Sequence, residues 1–283
     1  MIRRSIWAVI ALTLVLTGQA FCQDSVKLAY KFTPGELLRY KMVANLTAQM
    51  TDPQSGQTMN IPIQMVAVMR QRVKKVLPNG DAQVSAAIES IKMNAGGNAM
   101  TVPGDKMPTM TMVLSPNGTV KGVQGLEKFG GMLPGMEFMG GGGFGDFGAV
   151  LPDAALNVGD TWAQQIPLPM GMGNVQIQSK LVSANTKIGD YRVAALKQDF
   201  GGDINLAMPL PVPSGETGAS LDMKGTVLGN GTIYFSPDKG RMVRSEGRAD
   251  MQMAFGVPAG QGSPGGSMSI NMAMTFEMYL LPN

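Results

Sequence analysis

The apolar positions of this chain recur with a period of two. Near the C-terminus Met268, Ile270, Met272, Met274, Phe276, Met278 and Leu280 alternate with Ser267, Ser269, Asn271, Ala273, Thr275, Glu277 and Tyr279. Near the N-terminus Leu38, Tyr40, Met42, Ala44, Leu46, Ala48 and Met50 alternate with Arg39, Lys41, Asn45, Thr47 and Gln49. Successive side chains of a strand point to opposite faces, so each run predicts a strand with one apolar and one mostly polar face. At ~3.3 Å per residue these strands reach about 40 Å, well beyond the usual five or six residues. The same pattern marks Ile61 to Val73, Ala82 to Met93, Thr109 to Leu114, Val175 to Leu181, Tyr191 to Ala195, Leu221 to Val227 and Ala249 to Phe255.

Turn chemistry separates many of these runs: Thr33-Pro34-Gly35-Glu36, Pro78-Asn79-Gly80-Asp81, Pro116-Asn117-Gly118, Asn230-Gly231 and Pro237-Asp238-Lys239-Gly240. Proline presets φ, and glycine or asparagine supplies positive φ. The expectation is on the order of ten strands joined mainly by hairpins, hence antiparallel, because parallel neighbours need crossovers of about a dozen residues or more. The fold class predicted is all-β with minor α: a long-stranded, curved antiparallel sheet forming a half-barrel or flattened barrel.

Two related halves are suggested by recurring turns. Phe32-Thr33-Pro34-Gly35-Glu36 and Leu156-Asn157-Val158-Gly159-Asp160 both precede a strand, with Gly159 124 residues after Gly35. Leu114-Ser115-Pro116-Asn117-Gly118 and Phe235-Ser236-Pro237-Asp238-Lys239-Gly240 match with Ser236 121 residues after Ser115. Hairpins also reuse such residues without common ancestry. The domain reading is therefore a leader over 1–22 and a single β domain over 23–283. Its pseudo-repeat halves span about 25–125 and 151–283, joined by a Gly/Met-rich loop over 126–150. That loop contains the run Gly140 to Gly143 along with Met132, Met136, Phe138, Met139, Phe144 and Phe147. It reads either as a surface loop or as a lid whose Met136, Phe138 and Phe144 cover an apolar opening. A short helix from about Val123 to Met132 is also expected, and Met208 to Gly218 and Pro258 to Gly266 read as loops.

The leader changes the compartment. Arg3 and Arg4 precede an apolar run from Ile6 to Leu16, then small and polar residues through Ala20-Phe21-Cys22-Gln23. That order is a secretory signal, too short to span a bilayer, with cleavage expected after Ala20 or Cys22. Lipidation of Cys22 is the weaker reading, since Phe21 stands where a small residue is wanted. The chain is expected in the periplasm or outside the cell, with no membrane span once the leader is removed. Removing the two arginines takes the formal charge from +3 to +1, and the remaining Lys and Arg are scattered, so no nucleic-acid partner is expected.

Composition then limits the chemistry. There is no histidine, and the one cysteine lies at the leader boundary, which excludes histidine-dependent triads, cysteine nucleophiles and a disulfide in the processed chain. Ser236-Pro237-Asp238-Lys239 fits Ser-x-x-Lys but falls on a turn signal. Gly140, Gly142 and Gly145 fit Gly-x-Gly-x-x-Gly without the strand and helix that would cradle a phosphate. Asp146, Asp153 and Asp160 lack the spacing of a calcium loop. No catalytic residue, metal site or cofactor is expected.

Methionine is abundant, at 25 residues, and pairs as Met110/Met112, Met170/Met172, Met251/Met253 and Met272/Met274. Thioethers suit Cu(I). Residues two apart on a strand share a face, however, so the pairs equally describe an adaptable apolar wall. Met112, Met251, Met253, Met272, Met274 and Phe276 are the expected lining of an apolar binding face.

The stretches Phe32 to Lys41, Ser115 to Val120 and Leu151-Pro152 through Val158-Gly159-Asp160-Thr161-Trp162 resemble a group of uncharacterised secreted bacterial β-proteins. That group is similar in predicted architecture to the lipoprotein-carrier half-barrel fold, whose concave apolar face is closed by helices or loops. The resemblance implies a lipid or other apolar ligand by analogy of fold. This chain departs from the fold in having few helical segments. The functional expectation is an exported, non-catalytic envelope protein that binds an apolar, lipid-like ligand on the concave face. The alternative is a structural or protein-interaction module with an envelope protein partner and a packed core.

Overall fold

The computed structural model describes residues 25–51, 56–125, 150–167, 173–209, 220–257 and 266–282. Twelve strands form one antiparallel sheet: β1 (Leu37–Thr51), β2 (Thr58–Val76), β3 (Ala82–Ala95), β4 (Asn98–Pro103), β5 (Thr109–Leu114), β6 (Val120–Gln124), β7 (Thr161–Pro167), β8 (Asn174–Ile188), β9 (Tyr191–Pro209), β10 (Ser220–Ser236), β11 (Arg241–Val257) and β12 (Gly266–Leu280). A 3₁₀ turn, Gly104–Lys106, is the one helical element among the described residues. The sheet order is β6-β5-β3-β2-β1-β12-β11-β10-β9-β8-β7, and β4 pairs with β3 beyond the end of β5. The sheet is open, with β6 and β7 at its two ends.

The predicted strands are present and several run longer. Twelve strands replace the expected ten or so because β4, β6 and β7 are only five to seven residues long and sit at or near sheet edges. Their outward residues face water, which weakens the apolar signal. Val123 and Gln124, expected to start a helix, belong to β6, and 126–149 lie outside the described residues. Asn230-Gly231 is not a turn. It lies inside β10, where Asn230 pairs with Asp199 and Arg248, and Gly231 with Gln198 and Gly247. A Cβ on Gly231 would sit 2.7 Å from the Glu246 carbonyl oxygen, so this glycine serves close strand approach rather than chain reversal.

The first and last strands pair along Tyr40↔Leu280 through Thr51↔Ser269, which makes the sheet continuous across the middle of its order. The segments ahead of β1 and β7 are built alike. Gly35 (φ +82°) and Gly159 (φ +102°) adopt backbone that other residues resist. The Gly35 N–H donates to the Val73 carbonyl while the Val73 N–H donates to Glu36. In the same pattern, Gly159 donates to Leu181, and Leu181 donates to Asp160.

One end of the sheet is closed by a core drawn from both sides of that order. Val84 and Ile88 (β3), Met110 and Met112 (β5), Leu181 (β8), Leu196 (β9), Phe235 (β10) and Met242 (β11) belong to one buried cluster. Strands so far apart in sheet order share a core only if the sheet curls with this face inward. Segments without strand pattern complete it. Leu28, Leu151 and Leu156 are buried, and Val26 bridges to Leu156 through two backbone hydrogen bonds. The Tyr30 N–H donates to Pro116, Lys31 to Gly240 and Leu151 to Asn117, which ties the β5–β6 and β10–β11 turns together. Tyr30 meets Phe235 edge to face at 5.1 Å.

Candidate functional site

The strand registers place the inward side chains in rows across the sheet. One row runs Leu181–Leu196–Ile233–Ser245–Met278–Met42–Ala67–Ile91. Two residues further along each strand, away from the closed end, it becomes Ser179–Gln198–Gly231–Gly247–Phe276–Ala44–Met65–Met93. The next rows are Ile177–Phe200–Gly229–Ala249–Met274–Leu46–Ile63 and Val175–Gly202–Val227–Met251–Met272–Ala48–Ile61.

Burial changes along this direction. Leu181 and Leu196 are fully buried, whereas Met251, Met253, Phe255, Met268, Ile270, Met272, Met274 and Phe276 are only partly buried. A smaller buried cluster, Ile204 and Val227 with Val175, Phe200 and Met251, packs this region on β8 to β11, and Ala249 beside it is buried too. The far part of the inward face is therefore apolar and only partly covered by the described residues. At its rim Met59 is 63% exposed.

Five of the six expected lining residues come together here. Met251 faces Met272 directly, Met274 faces Ala249, Met253 faces Ile270 and Phe276 faces Gly247. Met112 does not join them: it is fully buried in the closed-end core, opposite Val84, with Met110 beside it. Two residues of sequence spacing could assign its face but not its end of the sheet. The lid residues Met136, Phe138 and Phe144, and the pair Met170/Met172, lie outside the described residues.

Glycine shapes this wall. Phe200 crosses to Gly229 and Phe276 to Gly247, and a Cβ on either glycine would strike the ring and a backbone carbonyl of the neighbouring strand. Each ring is thus seated on bare backbone, which also lets long strands bend.

A polar group that the periodicity did not disclose interrupts the apolar wall on β7 to β9. Gln198 Nε2 donates to Ser179 Oγ at 3.1 Å, and Ser179 is fully buried. Gln164 shares this face with Trp162 and Ile166 on β7, opposite Ile177. Its Oε1 is buried and accepts no hydrogen bond from the described residues. Such an orphaned acceptor ordinarily costs about 1–3 kcal/mol. In sequence these residues look like lapses of alternation, and only the register shows them adjacent.

The charged residues flanking these rows take the opposite parity. Lys180, Lys197, Asp199, Asp203, Lys224, Arg248 and Asp250 are all exposed on the outer face. Arg244 there pairs with Glu246 and Glu277 at 2.7 and 2.6 Å.

The closed end holds a separate cavity of about 50 Å³ lined by Phe32, Leu38, Tyr40, Val84, Leu114 and Met242. That is room for about three or four waters and not for an acyl chain. Its polar rim is the Glu36–Arg241 pair, 2.6 Å apart and less than one-fifth exposed. Tyr40 donates to the Met242 carbonyl, and burial raises its hydroxyl pKa well above the ordinary value.

The other motifs resolve into turns. Ser236 and Lys239 occupy the β10–β11 turn, where Gly240 N–H donates to the Ser236 carbonyl. Asp160 accepts from the Asn157 N–H at 2.8 Å, Asp153 is exposed, and Asp146 and the glycines from Gly140 to Gly145 lie outside the described residues. Among the described residues no three His, Cys, Asp or Glu side chains are grouped to hold a metal. No described helix is long and apolar enough to cross a membrane.

No protein-family model matches the chain and no curated protein matches it in sequence.

Proposed function

We propose that the chain is an exported, non-catalytic envelope protein that holds an apolar, lipid-like ligand on the inward face of the sheet, along Met251, Met253, Met272, Met274 and Phe276. The observation that carries this reading is the change in burial along one continuous face: nearly complete at the closed end, partial where methionine is densest. Methionine is unbranched and polarizable, so a wall of it repacks around guests of different shape. Glycine-seated Phe200 and Phe276 keep that wall low where a chain would lie. Protein isolated from its own compartment should release lipid in native mass spectrometry and, once stripped, should bind an environment-sensitive apolar probe. Absence of both would overturn the reading. Export is tested separately by sequencing the processed N-terminus, expected at Phe21 or Gln23.

A second reading, a structural or protein-interaction module with a packed core and an envelope partner, draws on the closed end. There the cavity beside Glu36 and Arg241 has a volume of only about 50 Å³. It predicts that the methionine face stays covered in solution and binds no probe.

A further inference from the structure

We infer that the ligand is an uncharged amphiphile, whose hydroxyl or amide N–H donates to Gln164 Oε1 while its chain runs over the methionine wall. The inference rests on the proposed apolar site and names the ligand class for it. Three observations carry it.

The first is the unused acceptor. Gln164 Oε1 is withdrawn from water and has no hydrogen-bond partner among the described residues, although Gln198 on the same face donates to Ser179. A carbonyl oxygen can be completed only by a donor. A hydroxyl or an amide N–H qualifies, and an ionised carboxylate or phosphate brings only further acceptors.

The second is the charge pattern. From β7 to β11 the described charged side chains beside these rows lie on the outer face, including Lys180, Lys197, Lys224 and Arg248. An anionic headgroup placed beside Gln164 would be desolvated without a counter-ion, which disfavours it strongly. A hydrocarbon with no head would leave the oxygen as it is.

The third is distance. Gln164 and Met274 lie in the same row of this face, five strand spacings apart, or about 24 Å along the sheet at ~4.8 Å per strand. A long acyl or alkyl chain anchored at β7 therefore crosses Ile177, Phe200 and Ala249 before reaching the methionines of β11 and β12. Trp162, two residues from Gln164 on the same face, is the only tryptophan of the chain apart from Trp7 in the leader segment, so its fluorescence reports on the headgroup position.

The test titrates stripped, processed protein with oleyl alcohol, octadecene and oleate, following Trp162 emission and displacement of the apolar probe. The expected result is oleyl alcohol bound about fivefold to tenfold more tightly than octadecene, the equivalent of one net hydrogen bond, with oleate weakest. Gln164→Leu should erase that preference, so that alcohol and alkene bind the variant alike. Equal binding of alcohol and alkene by the wild-type protein would overturn the headgroup inference and leave the apolar site standing, and this comparison needs no variant. A preference retained in Gln164→Leu would also overturn it. Failure of all three compounds to bind would remove the apolar site itself.

Discussion

Two phenylalanine truncations separate a packed core from a partly covered wall. Phe235 on β10 has no exposed surface and meets Tyr30 edge to face at 5.1 Å and 82°. Truncating it to alanine leaves an enclosed void. The loss is about 3–5 kcal/mol for a buried phenylalanine, toward the upper end because the aromatic pair adds ~0.5–1.5 kcal/mol. Phe276 on β12 is only partly buried and seated over Gly247, so its removal opens no closed void. It forfeits only part of the ~1.5–3 kcal/mol of a fully buried side chain, or about 1 kcal/mol. The predicted gap between Phe235→Ala and Phe276→Ala is therefore about 3 kcal/mol. Urea denaturation of stripped protein should show it as a midpoint difference of roughly 1 M at unchanged slope. The same Phe276→Ala protein should lose probe affinity, while Phe235→Ala, where folded, should retain it. Equal destabilisation by the two substitutions would mean that the β12 face is packed like the closed end, and the binding proposal would fall.

Three further predictions concern the frame around that face. Gly159→Ala places a side chain at φ +102°, so it should destabilise the fold by about 1–2 kcal/mol, read as a lower urea midpoint, and loosen protection of the Leu181 amide in hydrogen exchange. Arg241→Met leaves Glu36 beside the small cavity without its partner and should cost about 2 kcal/mol, less than for a fully buried pair. Adding Glu36→Gln should recover part of this in a double-mutant cycle, and no recovery would show the pair to be uncoupled. The hydrogen bond from Lys121 to the Asp81 carboxylate, aided by Asn79, lowers the Asp81 pKa. A depressed folded pKa contributes stability above the unfolded value of ~3.9 that disappears as pH falls through the folded one. The stability difference between wild type and Asp81→Asn should thus be constant near neutral pH and vanish in strong acid, as followed by urea midpoints across pH.

Period-two alternation was enough to find the long strands, because each buries one face and wets the other, and that property is local. Met268 to Leu280 shows it: every alternate residue named from the pattern lies on the inward face. What alternation cannot carry is position along the strand. Met112 and Met272 look alike in sequence, yet one is sealed in the core and the other lines the partly covered wall. The difference is made by Leu28, Leu151 and Leu156, which lie in unpatterned segments and reach the core through backbone hydrogen bonds to distant turns.

Register hides the rest, and with it the residues on which ligand class depends. Gln164, Ser179 and Gln198 are separated by at least fifteen positions in the chain, and each alone reads as a polar fault in an apolar face. Pairing of β7 with β8 and of β8 with β9 turns three faults into one group with an unused acceptor. Glycine behaves the same way. Gly229 and Gly247 suggest turns or weak strands until Phe200 and Phe276 are found lying across them. A sheet with such a surface combines an unused acceptor at one side and a partly buried methionine track at the other. Those glycines serve packing, since a Cβ on either would strike a ring and a backbone carbonyl. Gln164 does not: a core selected only for stability would have apolarised it, removing a cost of about 1 kcal/mol or more, and its place on the inward face, beside the part only partly covered, is the physical reason to seek a guest there rather than more packing.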